Sequence, residues 1–332
     1  MEHFDIPVVL FIFKRDKAVE IVKRIGAVKP KKLYILADQG RNEEEKLQAQ
    51  ACREMVEAAI DWECEVIKNY AEENRGVYQN IGMGAIWVLQ RERWAIFLED
   101  DNLPEESFFP FCREMLHKYE KEDQILWVCG TNYLGDYTPK SGDSYVFTRH
   151  MLPCGWASWQ GKFEKYYDGE LRLTEDPAVM RRIGKAYCNR AVFRQYQRSW
   201  MGEKARIKAG QRPISWDYQM DFTIKAHNLY GICPCKNQIK NIGVDAYSIH
   251  GGTSFDMVMT QRFCGMDSYP LQFPLQHPKK LHLDPVFEKA IGRIVLYPLK
   301  SRVIGCVARC VRRILKVPAG KSARQYIKEG FR

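Results

Sequence analysis

Hydrophobic and polar positions alternate in long blocks over the first hundred residues. Four short runs, at 8–13, 32–37, 64–68 and 94–98, are rich in apolar and β-branched residues and predict buried strands. The segments between them carry apolar residues three and four positions apart, which is the spacing of an amphipathic helix. Strands that alternate with helices predict βαβ units and an α/β fold with a mainly parallel sheet flanked by helices.

Two helix starts are marked by residues that cap helices well. Asp16 is expected to cap the helix after the first strand, and Asn42 the helix that runs to residue 59. Residues 78–91 are expected to form a third helix, although Gly82 and Gly84 lie within it. In the second helix, apolar residues four positions apart are expected to face the core: Leu47, Ala51 and Met55.

The second half of the chain has a less regular pattern. A helix is expected at 108–119 and a strand at 125–129. No low-complexity linker divides the chain. Residues 1–130 and 131–280 are therefore interpreted as two halves of one domain, and residues 281–332 as a separate tail.

Composition places the chain among globular proteins. It has 332 residues, of which 45% are hydrophobic, and a mean hydropathy of −0.42. No segment approaches the ~20 apolar residues of a membrane-spanning helix. The charges around the first apolar run, with Lys14 and Arg15 after it, have the opposite polarity to a signal peptide.

Eleven scattered cysteines suit a reducing cytoplasm, and the spacing of Cys233 and Cys235 matches no zinc module.

The net charge of +10 is concentrated at the C-terminal end. Residues 289–332 hold twelve Lys and Arg against the single acid Glu329, so the rest of the chain is close to neutral. Apolar residues recur from Val303 at helical spacing among these cations, the pattern of a helix at an anionic membrane surface. A helix that packs on the domain with a solvated basic face fits the same pattern. Nucleic-acid binding is disfavoured because aromatic residues are sparse there.

Three consecutive carboxylates, Glu99, Asp100 and Asp101, end the fourth apolar run. Like charges on adjacent residues repel unless a positive group lies among them, and a hard divalent cation that carries phosphate oxygens is a usual partner. An acidic turn in water is the alternative interpretation. Ligands of parallel α/β sheets bind outside the carboxyl ends of strands. Because Arg15 and Asp38 also follow strands, the sequence favours a site at this edge.

Six short motifs follow one another along the chain. They are Phe-Ile-Phe-Lys-Arg (11–15), Ala-Asp-Gln-Gly-Arg (37–41), Leu-Glu-Asp-Asp-Asn-Leu-Pro (98–104), Gly-Trp-Ala-Ser-Trp (155–159), Ser-Trp-Asp-Tyr-Gln (215–219), and Asn-Ile-Gly (241–243) with Ile-His-Gly-Gly (249–252). With this ordered series the chain resembles glycosyltransferases of the GT-A fold. In particular, it is similar to the bacterial group that resembles N-acetylglucosaminyltransferase I, within the nucleotide-diphospho-sugar transferase superfamily.

The resemblance implies a nucleotide-sugar donor, in the first place a UDP-sugar, bound with Mn²⁺ or Mg²⁺. Asp101 matches the family's metal ligand, and Glu99 and Asp100 match positions near the ribose and the metal-bound waters. Arg15 matches an arginine that binds the diphosphate, and Asp38 an acid that accepts a hydrogen bond from the pyrimidine ring. Relatives often have Asp-Gly-Pro-Arg where this chain has Asp-Gln-Gly-Arg, and a turn-forming role for Asp38 stays open.

On the acceptor side, Asp217 matches the family's catalytic base, and Asp221, one turn later, is held as its reserve. Trp216 is expected to give apolar cover to Asp217. Trp156, with Trp159 in reserve, matches a segment beside the donor sugar, although buried tryptophan pairs are also common in protein cores.

Two further residues and one segment complete the expected site. His250 matches a segment that closes over the nucleotide, where two following glycines allow a hinge, and a structural histidine is the alternative. Arg75, in the polar loop after the third strand, is held in reserve for nucleotide binding. Residues 170–212 match no part of the pattern, and choice of the acceptor is expected to reside there.

These assignments predict a metal-dependent, inverting glycosyltransferase that acts on a lipid-linked, cell-surface glycan. It is expected in the cytoplasm, peripheral to the inner face of the plasma membrane. Nucleotidyl transfer or phosphate hydrolysis on the same sheet is a second interpretation. A non-catalytic basic module that binds membranes or nucleic acid is a third.

Overall fold

The computed structural model describes residues 3–187, 189–244 and 262–315. The strands are β1 (Val8–Ile12), β2 (Lys32–Ala37), β3 (Glu65–Tyr70), β4 (Trp94–Glu99), β5 (Asn102–Pro104), β6 (Ile125–Cys129), β7 (Tyr145–Thr148), β8 (Trp156–Trp159), β9 (Tyr230–Pro234) and β10 (Ile239–Asn241). The α-helices are α1 (Ala18–Gly26), α2 (Glu43–Ala58), α3 (Gly84–Leu89), α4 (Phe108–Lys118), α5 (Gln160–Tyr166), α6 (Pro177–Ala186), α7 (Arg190–Lys208), α8 (Asp217–Ala226), α9 (Pro285–Val295) and α10 (Leu299–Ile314).

Eight strands form the central sheet in the order β3-β2-β1-β4-β8-β6-β9-β7. The pairs β2–β3, β1–β2, β1–β4 and β6–β9 are parallel. β8 lies antiparallel between β4 and β6, and β7 is antiparallel to β9 at the margin. The predicted α/β fold with a mainly parallel, helix-flanked sheet is therefore confirmed.

Six strands of this sheet point the same way, because β4 and β6 both run opposite to β8. Their carboxyl ends meet at one side of the sheet, which we call the carboxyl edge. The segments that leave the sheet there include 13–15, 38–41, 99–101, 130–133 and 235–238. Parallel topology thus brings distant stretches of sequence to one line of loops.

A second, two-stranded sheet covers part of the carboxyl edge. In it β10 pairs antiparallel with β5, with Asn241 opposite Asn102. The pairing continues when the backbone N–H of Ile242 donates to the carbonyl of Asp101 at 2.9 Å. The segment 241–244 is therefore fixed beside the carboxylates that follow β4.

The helix ends and faces differ in part from the sequence predictions. Asn42 caps α2 as expected, since its side chain accepts from the N–H of Glu45 at 2.9 Å. The first helix is capped by no side chain and begins after Lys17, so the prediction that Asp16 caps it was wrong. The expected helix at 78–91 begins as a single π-helical segment, Tyr78–Met83, and continues as α3.

The inner face of α2 is not the predicted one. Leu47 is 74% exposed, and Met55 is also exposed. The buried positions instead include Glu45 and Arg53, together with Ala49, Cys52 and Val56. Glu45 and Arg53 are buried because they bind partners near the carboxyl edge: Lys14 and Arg41 for Glu45, and the carbonyls of Asp38 and Ala71 for Arg53. The spacing of apolar residues predicted the wrong buried face of α2, because two of the residues on the observed buried face are charged.

The chain divides into two compact units, residues 1–292 and 293–332. The first half of α9 belongs to the first unit, where Phe287 and Ile291 are fully buried. Residues 281–292, expected to be tail, are thus part of the main unit. Within the described ranges, no helix is both long and apolar enough to cross a membrane.

Candidate active site

A compact ion cluster lies where β1 and β4 end. One guanidinium nitrogen of Arg15 is 2.8 Å from a carboxylate oxygen of Asp100 and 2.8 Å from one of Asp101. The other oxygen of Asp100 accepts the backbone N–H of Phe13 at 3.1 Å. Since β1 and β4 pair side by side, the residues that follow them meet directly. The structure therefore brings together three of the residues predicted for phosphate and metal binding.

Burial and crowding of like charges act on the carboxyl groups of this cluster. Burial raises the pKa of Asp100, and the neighbouring Arg15 opposes that rise. The pKa of Glu99 is raised well above its usual value, first by burial and then by the charges of Asp101, Asp100 and Asp217. Arg15 lies between Asp100 and Asp101, and it only partly offsets the effect of burial on the pKa of Asp100.

Asp101 is held from two further sides. One carboxylate oxygen accepts the side-chain amide of Asn102 at 2.7 Å. Gly243 approaches so closely that a Cβ atom built there would lie 2.2 Å from the other oxygen. Lys17 helps to fix this glycine's segment, because its ammonium donates to the carbonyl of Ile242 at 2.8 Å.

The donor set fits a hard cation that is bound mostly by substrate. Carboxylate oxygens suit Mg²⁺ and Mn²⁺. Across the part of the chain that the structure describes, no group of three or more His, Cys, Asp or Glu side chains is arranged as a metal cage. The carboxylates of Asp100 and Asp101 are of the type that binds such an ion together with phosphate oxygens, and the sequence expects Asp101 to be the ligand.

Asp38 shapes the loop beside the end of β2. It is 6% exposed, and its two carboxylate oxygens accept four hydrogen bonds. The donors are the backbone N–H groups of Gln39 (2.8 Å), Arg75 (2.7 Å) and Gly76 (2.9 Å) and the side-chain amide of Asn74 (3.2 Å). The structure thus realises the turn-forming role that the sequence left open. Arg75 enters this network through its backbone N–H.

Asp217 is the first residue of α8 and lies half-buried at the carboxyl edge. Its carboxylate accepts from the hydroxyl of Ser215, which in turn accepts the N–H of Tyr218 at 2.9 Å. Its charge is one of the smaller causes of the raised pKa of Glu99, after burial and the charges of Asp101 and Asp100. Trp216 is buried and its ring stacks on that of Trp156, so apolar cover of Asp217 by Trp216 stays a prediction. The fold thus brings the predicted base to the predicted phosphate site across more than a hundred residues of sequence.

Asp221, the reserve base, has different surroundings. It is 3% exposed, forms a buried ion pair with Lys225, and accepts the indole N–H of Trp200 at 3.1 Å. The carboxylate is therefore occupied within the packing of α8 against α7. Of the two acids, Asp217 is the one that lies at the carboxyl edge.

The tryptophans of the Gly-Trp-Ala-Ser-Trp motif pack in the core. Trp156 is 1% exposed, and its ring stacks on those of Phe97 at 3.9 Å and Trp127 at 4.2 Å between ring centroids. Trp159 is also buried and donates its indole N–H to the carbonyl of Leu116 at 2.8 Å. Both rings are core residues, which is the alternative that the sequence left open for buried tryptophans.

Two outcomes concern residues that the sequence assigned weakly or not at all. His250, with the two glycines after it, lies outside the described residues. Asn102 and Lys17 received no role from the sequence, yet both position the segments around Asp101. In the sequence, the only signal for either residue was its position next to Asp101 or close to Arg15. The contact of Lys17 also depends on the pairing of β5 with β10, which brings Ile242 to this edge.

Comparison with known proteins gives weak likenesses only. No protein-family model matches the chain. A search of curated proteins finds no match. Among solved structures, a UDP-glucose pyrophosphorylase aligns at 9% identity and a TM-score of 0.34, covering 71% of this chain and 93% of the other. Mouse xyloside xylosyltransferase 1 aligns at 11% identity and 0.33, covering 67% and 82%.

A third structure, 4-diphosphocytidyl-2C-methyl-D-erythritol synthase from Anaerococcus prevotii, aligns at 10% identity and a TM-score of 0.32. It covers 49% of this chain and 76% of its own. At such TM-scores these likenesses support no conclusion about this chain, and function must be argued from the site.

Proposed function

We propose that this chain is a metal-dependent glycosyltransferase of the GT-A type that resembles the N-acetylglucosaminyltransferase I group and moves a sugar from a nucleotide-sugar to a glycan hydroxyl. The donor proposed first is a UDP-sugar. The observation that carries the proposal is the meeting of two kinds of group at one edge: the Arg15–Asp100–Asp101 cluster and the carboxylate of Asp217. Groups that bind phosphate occur in many classes of enzyme, so the cluster alone does not indicate sugar transfer. A separate carboxylate at the same edge would suit the activation of a hydroxyl nucleophile.

The donor's diphosphate would lie against Arg15 and Asp101. Asp101 is the residue that would hold Mn²⁺ or Mg²⁺, and the ion would offset the negative charge that develops on the leaving diphosphate. Arg15 supplies a second positive charge at the same place. Glu99 and Asp100 would contact the ribose and metal-bound waters, and Asp38 holds the loop 74–76 next to where the base would bind.

Asp217 would act on the acceptor. The acceptor oxygen attacks the anomeric carbon while the bond from that carbon to the diphosphate oxygen breaks. The nucleoside diphosphate leaves with the bonding electron pair, and the hydroxyl proton passes to the carboxylate of Asp217. A base on the face opposite the leaving group gives inversion at the anomeric carbon. The proposed acceptor is a lipid-linked glycan.

Two variants separate the proposed roles. Asp101→Asn should weaken Mn²⁺-dependent stabilisation by the donor, measured as the shift in melting temperature with a panel of nucleotide-sugars. Asp217→Asn should leave that shift intact and lower kcat by at least about 100-fold. Asp123→Asn, an exposed carboxylate before β6, is the matched control and should change neither.

Other outcomes would identify a different activity. Release of pyrophosphate, or transfer of a nucleotidyl group without any need for Asp217, would favour a nucleotidyltransferase. A wild-type level of sugar transfer by Asp217→Asn would contradict the proposed base. No stabilisation by any nucleotide-sugar, with or without Mn²⁺, would contradict the donor.

A further inference from the structure

Helix α10 exposes large apolar side chains along its length. Five of them are between 53% and 77% exposed: Leu299, Val303, Ile304, Val307 and Ile314. Cys306 and Cys310 are exposed thiols of the same helix. Scattered apolar residues on a surface need no explanation, but a continuous set on one helix indicates a surface that becomes covered.

The sequence of α10 separates these apolar positions from its charges. At 3.6 residues per turn, Leu299, Val303, Val307 and Ile314 fall on one side, with Ile304 at its margin. Positions 302, 309, 312 and 313, all arginine, fall on the other side. Lys300 lies in the first turn within the apolar sector, where a long side chain can extend toward polar headgroups. The helix contains no acid.

The charge pattern decides among the partners that would cover such a face. A second copy of α10 could cover the apolar side, but it would leave the arginines of both helices without an acidic partner, since the helix contains no acid. The phosphates of a nucleic acid would bind the arginines, but they would leave the five aliphatic side chains exposed to water. An anionic lipid surface matches both sides of the helix. The acyl chains cover the apolar side chains, and the anionic headgroups bind the cations.

We propose that α10 is a docking surface for anionic membranes, lying in the plane of the interface with its aliphatic side toward the acyl chains. At ~1.5 Å per residue its sixteen residues extend over about 24 Å of lipid surface. Docking through α10 does not depend on the transferase activity, because it requires neither donor nor acceptor.

The test is sedimentation of the full chain with vesicles, without nucleotide-sugar. Vesicles of phosphatidylcholine with about 30% phosphatidylglycerol should carry down much more protein than pure phosphatidylcholine, and raising the salt to about 1 M should release it. Arg302→Gln should lower the partition coefficient about fivefold. Val303→Asp combined with Val307→Asp should reduce binding to the level of pure phosphatidylcholine.

Leu47→Asp is the matched control for these substitutions. Leu47 is 74% exposed on α2, so its substitution adds one aspartate, half the charge of the double variant, at an exposed apolar site of another helix and should leave vesicle binding unchanged. A second measurement does not depend on variants: maleimide labelling of Cys306 and Cys310, read by peptide mapping, should slow when anionic vesicles are present.

Four results would overturn the proposal. These are equal sedimentation with anionic and neutral vesicles, undiminished binding by the double aspartate variant, binding to RNA or DNA but not to vesicles, and a concentration-dependent dimer that the double variant abolishes while vesicles have no effect. The third result would assign the surface to nucleic acid, and the fourth to a second copy of the chain.

Discussion

Asp217 and Asp221 lie one turn apart on α8 and have opposite surroundings. Asp217 is half-buried at the carboxyl edge and binds the hydroxyl of Ser215, whereas Asp221 is paired with Lys225 inside the packing of α8. A buried pair that loses one partner leaves the other charge uncompensated, and this is costly. The two acids should therefore differ in what their removal does to the protein.

Asp221→Asn is expected to lower the free energy of unfolding by about 3 kcal/mol, since it leaves Lys225 charged and buried without its partner. Asp217→Asn should change that free energy by less than about 1 kcal/mol. Urea denaturation of both variants at neutral pH measures the two values. If Asp217→Asn proved the more destabilising of the two, the division of roles between these acids would be wrong.

Gly243 lies where no side chain fits. A Cβ there would come within 2.2 Å of a carboxylate oxygen of Asp101, and the N–H of Gly243 is itself bound by the side-chain oxygen of Asn241 at 2.9 Å. Because both neighbours are fixed, the added methyl group must displace Asp101 or the segment 241–244. The glycine therefore sets the position of the proposed metal ligand.

Gly243→Ala should cost about 1–3 kcal/mol of stability and weaken the Mn²⁺-dependent melting shift with donor. Gly202→Ala, on α7 with no atom within 4 Å of its added Cβ, is the matched control. It should be neutral or stabilising, because alanine is the better helix former. Thermal unfolding of both variants, with and without Mn²⁺ and donor, makes the comparison. An unchanged donor response in Gly243→Ala would show that Asp101 does not depend on this close approach.

The start of α2 is tied to the end of β1 by one carboxylate. Glu45 binds Lys14 at 2.8 Å and the side chain of Arg41, and these partners hold the pKa of Glu45 well below its usual value. A group whose pKa is depressed in the folded state adds stability above its unfolded pKa. It loses that contribution as the pH falls through the folded value.

Glu45→Gln should therefore destabilise the protein by about 2 kcal/mol at pH 7. The difference from the wild type should narrow as the pH falls below about 4. Glu44→Gln, in the same helical turn but exposed, should show no such pH-dependent difference. Urea denaturation of the three proteins from neutral to acidic pH provides the test. A gap between Glu45→Gln and wild type that stays constant with pH would exclude the ionic contribution.

Local sequence signals predicted some elements well and others poorly. β2 and β6 have the predicted bounds, and α2 has its predicted cap, because each is set by a local run or capping residue. The antiparallel placement of β8 between β4 and β6 depends on pairing with distant strands, so its tryptophans could not be told from ligand-facing ones.

At the site, Arg15, Asp100 and Asp101 were predictable because each follows a strand. The close approach of Gly243 to Asp101 and the bond from Lys17 to Ile242 depend on where the β5–β10 pairing puts residues 242 and 243, which local patterns do not show.

At the scale of the whole molecule, the unit boundary falls within α9. Phe287 and Ile291 are fully buried in the first unit, so this helix completes its core although the basic part of the sequence begins there. The basic part of the sequence therefore begins at Lys289, a few residues before the first packed unit ends at Gly292. A division of the chain by charge alone would cut through packed structure.

Two truncations distinguish these boundaries. A chain of residues 1–298 keeps α9 and should melt within about 3 °C of the full chain. A chain of residues 1–284 loses Phe287 and Ile291 from the core and should melt at least about 10 °C lower or fail to accumulate in soluble form. Calorimetry or circular dichroism measures both. Equal melting temperatures for the two truncations would mean that α9 contributes nothing to the core.

The stacked rings at the centre of the main unit give it an optical property. The indole rings of Trp127 and Trp156 lie 4.2 Å apart at 18°, and that of Trp216 lies 5.5 Å from Trp156 at 26°. Indoles this close couple their electronic transitions, and fixed aromatic packing is what near-ultraviolet circular dichroism records. Because Trp216 directly precedes Asp217, any shift of α8 when substrates bind would alter this spectrum. The protein thus carries an internal, label-free reporter of events at its candidate active site.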